Sequence, residues 1–155
     1  MTHGAWTGAL ALLATACARP VEVAHFEPAG PKPAGVPVDA RAPFSASVRA
    51  DDTLYLAGML GLDPTTHRPG TTPHEGARLA MEALKASVEQ AGLTMDDLVW
   101  VQVYATDLAT FADFGAVYEG YFTGPFPART FVGVAGLMGG AHFEVNAIAV
   151  RRKRP

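Results

Sequence analysis

Apolar positions recur along this chain with two periods. Over Thr72–Ala91 the spacing is helical: Ala77, Ala80, Met81, Leu84, Val88 and Ala91 share one face. Thr72 stands where an N-cap belongs, Pro73 suits the first helical position, Glu75 completes a Thr-x-x-Glu capping box, and Gly92 supplies the stop. Such a stripe predicts a core helix lying on a sheet. Elsewhere the period is two. Val21–Phe26 alternates as an edge strand, and Phe44–Arg49 and Thr53–Met59 flank an Asp51-Asp52 turn as a hairpin. Leu98–Thr106 alternates Val99, Val101 and Val103 with Trp100, Gln102 and Tyr104. A second helix runs from a cap at Asp107 or Thr110 to Phe122, with Phe111, Phe114, Tyr118 and Tyr121 as an aromatic core stripe and Gly124-Pro125 as its end. Between these elements, Glu27–Ala42 and Asp63–Gly70 carry the Pro and Gly of loops. Gly58 and Gly61 mark a bulge or a close backbone approach.

The last apolar stretch, Pro125–Val150, reads as two strands around the glycine-rich turn Gly136–Gly140. It holds Arg129 and Glu144, with no other Asp, Glu, Lys or Arg between them. Charged side chains within apolar strands are paired, bound to a ligand or turned to solvent. A hairpin here brings the two side by side, on one face if the register pairs them directly. The element order is strands, helix, strand, helix, two strands. That order predicts an α+β fold: a mixed sheet with two helices on one face. The other face then needs cover, which an oligomer would supply.

Composition narrows the picture. A chain of 155 residues fits one domain, and 49% hydrophobic with 17% charged residues gives it ample core and a lightly charged surface, in keeping with subunit contacts. The net charge of −3 argues against a nucleic-acid binder, and no basic stripe interleaved with aromatics appears. The run Arg151, Arg152, Lys153, Arg154 reads as a solvated tail ending the last strand. With Cys17 as the only cysteine there is no internal disulfide, and the five histidines show no paired spacing for a metal.

Residues 1–17 differ from the rest. Ala5–Ala14 is apolar, no charged residue precedes Arg19, and Ala14-Thr15-Ala16 comes just before Cys17. This predicts a lipoprotein-type signal peptide over 1–17 with lipidation at Cys17, a short tether over 18–20 and the domain over 21–153. The protein would then be exported, periplasmic or membrane-anchored; an uncleaved leader or a misplaced start leaves it cytoplasmic.

From Val21 to Arg152 the chain resembles the RidA (YjgF-type) reactive-intermediate deaminases. The resemblance rests on FEPAGPKP at Phe26–Pro33, PFS at Pro43–Ser45, TLYLAGMLGLDP at Thr53–Pro64 and AMEALKASVEQAGLTMDDLV at Ala80–Val99. VYATDLATFADFGAVYEGYF at Val103–Phe122, PARTFVGVAGL from Pro127 and FEVNAIAV from Phe143 complete it. It implies a chorismate-mutase-like subunit, a homotrimer with sites in the clefts between subunits, and hydrolysis of 2-imino or 2-enamino acids to 2-oxo acids and ammonia without a cofactor. By the same resemblance Arg129 holds the substrate carboxylate, Glu144 positions or activates water, and Gly58 lends its backbone to the site. A guanidinium presents two parallel donors that match a carboxylate, and a carboxylate is a suitable base for water attacking an electrophilic imine.

Several lining positions depart from the family's pattern. Phe44 stands for a tyrosine, Ala57 for a serine, Gly115 for an asparagine, Phe131 for a cysteine and Asn146 for a second glutamate. The more apolar lining predicts a preference for bulkier or more apolar imino acids. Three functions follow: an imine hydrolase, a binding module for small carboxylate metabolites in the same cleft, and a protein-interaction or chaperone-like role on the trimer surface that does not depend on Arg129. For Arg129 and Glu144 themselves, the alternative to a site is an interchain ion pair without catalysis.

Overall fold

A computed structural model of the chain describes residues 19–28 and 42–152. The leader expected over 1–17 with its Cys17, most of the Pro/Gly-rich loop, and the basic run beyond Arg152 lie outside the described residues. Six strands form one sheet: β1 (Val23–Phe26), β2 (Ser47–Ala50), β3 (Thr53–Leu60), β4 (Leu98–Ala105), β5 (Ala128–Gly133) and β6 (Phe143–Val150). Helix α1 (Pro73–Gln90) follows β3, and α2 (Phe111–Glu119) joins β4 to β5. The strand order is β1-β2-β3-β6-β4-β5, with β4 and β5 parallel and every other pair antiparallel. The α+β sheet with two helices on one face is therefore present.

The predicted hairpin of the last two strands is not. β4 lies between β5 and β6, so the strands carrying Arg129 and Glu144 are not neighbours. The crossover through α2 lays β5 parallel to β4 at the sheet edge, and β6 fills the central slot between β3 and β4. That slot suits the sequence of β6. Its inward residues Phe143, Val145, Ala147 and Ala149 are all buried, and a central strand has both backbone edges paired. At an edge they would face less apolar cover. Full burial of a Val or Phe side chain is worth about 1.5–3 kcal/mol.

Helix α1 matches its sequence. All six residues of the stripe are buried, and Thr72 accepts a hydrogen bond from the Glu75 N–H at 3.2 Å. Only half of the capping box forms. The Glu75 carboxylate instead accepts from the N–H and hydroxyl of Thr71, both at 2.8 Å, and these bonds hold its pKa below the usual carboxylate value. Gly92 adopts φ +73, the left-handed stop that glycine permits. Helix α2 ends earlier than predicted, at Glu119, and Gly120 caps it. Asp107 does cap the start, accepting from the Ala109 N–H and opening a 3-10 turn before α2. Of the aromatic stripe, Phe114 and Tyr118 enter the core while Phe111 remains 51% exposed. The alternation in β4 slips between Leu98 and Trp100, which turns Val99 outward. β2 begins at Ser47 rather than Phe44, leaving Phe44 in a bend ahead of it.

Candidate functional site

The residues singled out in the sequence fall into two groups, one around a bulge in β3 and one at the β5 edge under α2. The first gathers at a bulge in β3. Leu56 pairs with Ala147 and Met59 with Val145, so β3 carries one residue more than β6 over this span. Ala57 and Gly58 are the residues displaced by it. Phe44, Ala57 and Gly58 line a groove of about 540 Å³ whose opposite wall is α1 through Leu79 and Ala83. Glu144 lies on the far side of Gly58. A Cβ built on Gly58 would sit 1.8 Å from Glu144 Oε1, so the carboxylate occupies the space that glycine leaves. In the sheet Glu144 is level with Leu60 on one side and Tyr104 on the other, on the face away from the helices.

The second group lies at the β5 edge, under α2. Arg129 is level with Val101, which is fully buried, so its side chain rises on the helix face. Its Cζ stands 4.5 Å from the Tyr118 ring centre and 5.4 Å from that of Phe111. Each ring attracts the guanidinium charge, by about 0.5–2 kcal/mol per contact. Among the described residues no carboxylate pairs with Arg129 and no cation pairs with Glu144. With no ion-pair partner among the described residues, the N–H donors of Arg129 can take a planar carboxylate. Phe131 packs beside it, with ring centres 5.1 Å from Phe111 and 5.8 Å from Phe114. Gly115 sits on α2 between Phe111 and Tyr118. Tyr118 is buried with its hydroxyl unpartnered; burial pushes its pKa up to about 12, an effect the nearby Arg129 charge partly offsets.

Arg129 and Glu144 therefore do not meet within one chain. β5 and β6 are two strand spacings apart, roughly 10 Å, and the two side chains leave the sheet on opposite faces. An intrachain ion pair is excluded by this geometry. The support of Arg129 by Phe111 and Tyr118 was not foreseen, because an aromatic stripe at helical spacing gives no sign of which ring meets a cation. Among the described residues no group of three His, Cys, Asp or Glu side chains is arranged to hold a metal.

Among the described residues, no element covers the face of the sheet opposite the helices. Tyr55, Trp100, Gln102, Tyr104, Asn146 and Ile148 stand on it. Asn146 Oδ1 is buried there without a hydrogen-bond partner.

Comparison with known proteins sets these features in context. The family profile described as endoribonuclease L-PSP matches residues 35–151. A 2-iminobutanoate/2-iminopropanoate deaminase of Dermatophagoides farinae is 35% identical over 124 residues, covering 79% of this chain and 91% of that protein. The crystal structure of the YjgF gene product of E. coli superposes with a TM-score of 0.68 at 36% identity, over 73% of this chain and 91% of that one. E. coli TdcF, solved with bound serine, superposes with a TM-score of 0.69 at 33% identity over 73% and 91%. The sheet order, the helix pair and the motifs carrying Gly58, Arg129 and Glu144 thus occur together in a chain that belongs to the endoribonuclease L-PSP family, the group of RidA and YjgF.

Proposed function

We propose that this protein hydrolyses 2-imino or 2-enamino acids to 2-oxo acids and ammonia in a cleft between subunits of a homotrimer. The observation that carries this reading is the pair of unpartnered charges. Arg129 rests against two rings and Glu144 is seated in the gap at Gly58. Neither finds an opposite charge among the described residues, and they lie on opposite faces. A second subunit docked on the open sheet face would bring one copy's Arg129 to the other's Glu144. Family membership and the deaminase relative support the same chemistry.

In this reading Arg129 binds the substrate carboxylate through two parallel N–H donors. That fixes C2 of the imine relative to water held by the Glu144 carboxylate. Glu144 accepts a proton as the water oxygen bonds to C2, the C=N electron pair moves to nitrogen, and Glu144 hands that proton to the nitrogen. The hydroxyl proton of the resulting carbinolamine then passes through Glu144 to the amine, and the C2–N bond breaks to release ammonia as the C2–O bond becomes a carbonyl. Water is consumed, no redox change occurs, and no cofactor is required.

A second reading keeps the cleft but omits the chemistry: a binding module for small carboxylate metabolites. The serine found in TdcF favours it, since serine is a small carboxylate that is not an imine. The deciding experiment is ammonia release from imino acids generated in situ by an amino-acid oxidase. The deaminase reading expects acceleration by the protein, lost in Arg129→Ala and in Glu144→Ala. Thermal stabilisation by 2-oxo acids without any acceleration would leave the binding module.

A further inference from the structure

We propose that Gly115 opens a side-chain subsite next to Arg129 that selects 2-imino and 2-oxo acids with an aromatic or bulky apolar side chain. This rests on the reading of Arg129 as the carboxylate holder and adds the substrate class. Gly115 has neither of the usual structural reasons to be glycine. Its φ is not positive, and a Cβ built on it meets no heavy atom within 4 Å. A glycine inside a helix weakens that helix, so what it supplies here is space.

That space has definite walls. Residues three and four apart on a helix share a face, which puts Gly115 between Phe111, four residues before it, and Tyr118, three after. These are the same two rings on which the Arg129 guanidinium rests. Phe126 extends the apolar surface, its ring centre 6.1 Å from that of Tyr118. Phe111 and Phe126 are 51% and 58% exposed, so both keep ring surface that the core does not use. The result is an open notch over Gly115, flanked by the rings of Phe111 and Tyr118 at helical spacing, with the carboxylate holder beside it.

In a 2-oxo or 2-imino acid the side chain leaves from C2, one bond from the carboxylate carbon. A carboxylate on Arg129 therefore delivers the side chain to this notch. A methyl group covers neither ring. A benzyl group reaches ring-to-ring separations of about 4.5–7 Å, where aromatic pairs attract.

Calorimetric titration of the full chain with pyruvate and with phenylpyruvate tests this; both are stable 2-oxo acids, so binding is read without turnover. Phenylpyruvate is expected to bind at least about tenfold more tightly than pyruvate. Gly115→Leu fills the notch and should remove that preference, with the loss of affinity falling on phenylpyruvate. Leucine is a better helix former than glycine, so the melting temperature of this variant should hold or rise. Equal binding of the two acids by the wild type overturns the subsite, as does a preference that survives Gly115→Leu. If neither acid binds, or if Arg129→Ala leaves both affinities intact, the assignment of Arg129 falls and the subsite falls with it.

Discussion

Gly58 and Glu144 share one volume: the carboxylate oxygen of Glu144 lies 1.8 Å from where a Cβ on Gly58 would stand. The atom in the way is the end of a flexible side chain, so the conflict can be relieved by moving the carboxylate. Gly58→Ala is therefore expected to fold with little change in melting temperature and to lose activity about 100-fold, as Glu144 is pushed from its position. Steady-state kinetics beside a melting curve separates these effects. A Gly58→Ala protein with full activity would show that the seat of Glu144 does not matter.

Gly61 makes the opposite kind of contact. A Cβ there would lie 2.4 Å from the backbone oxygen of Gly76, in the first turns of α1, and backbone cannot swing aside. The Gly61 N–H also donates to the Phe143 carbonyl at 2.9 Å, tying the end of β3 to the start of β6. Gly61→Ala is expected to cost about 2 kcal/mol or more in denaturant unfolding, the size of an overpacked core substitution. A loss below about 0.5 kcal/mol would mean that the loop and helix are free to part.

Much of this framework could be read in the chain. The α1 stripe and its Thr72 cap are local features, and they appear as the pattern specifies. The close approach at Gly58 and Gly61 was likewise visible as glycine where strand residues were expected. The placement of β6 was not. Consecutive strands pair often enough to make a hairpin of Pro125–Val150 the natural reading. The competing gain is non-local: Val145 and Ala147 bury fully only when β6 lies between β3 and β4. The same hairpin reading sets Arg129 beside Glu144, on one face if the register pairs them directly. The half of the box that failed, Glu75 bonding to Thr71 rather than Thr72, is a choice between adjacent donors that sequence does not resolve.

Tyr118 gives a prediction in pH. Its folded pKa is pushed up to about 12 from the ordinary 10.0. The protonated form is thus favoured by folding. The corresponding stability is present in full below pH 10 and is lost as pH rises from about 10 toward 12. Tyr118→Phe lacks this titration and also removes a buried hydroxyl with no partner. At neutral pH it should be as stable as the wild type or more so by up to about 1 kcal/mol. The melting-temperature difference between the two, followed from pH 9 to 12, should shift in favour of the variant. A difference that stays flat across that range would contradict the burial argument. Because a phenyl ring still braces Arg129, the variant should keep activity within about threefold of wild type.

The central claim is that one site is built from Arg129 of one subunit and Glu144 of another. Arg129→Ala and Glu144→Ala are each expected to be inactive as pure proteins. Co-expressed in equal amounts, they assemble at random, and about one quarter of the clefts then hold an intact Arg129 facing an intact Glu144. Ammonia release by the mixed protein should return to roughly a quarter of the wild-type rate. A mixture that remains as inactive as its two parents, in oligomers shown to contain both, would contradict the shared site.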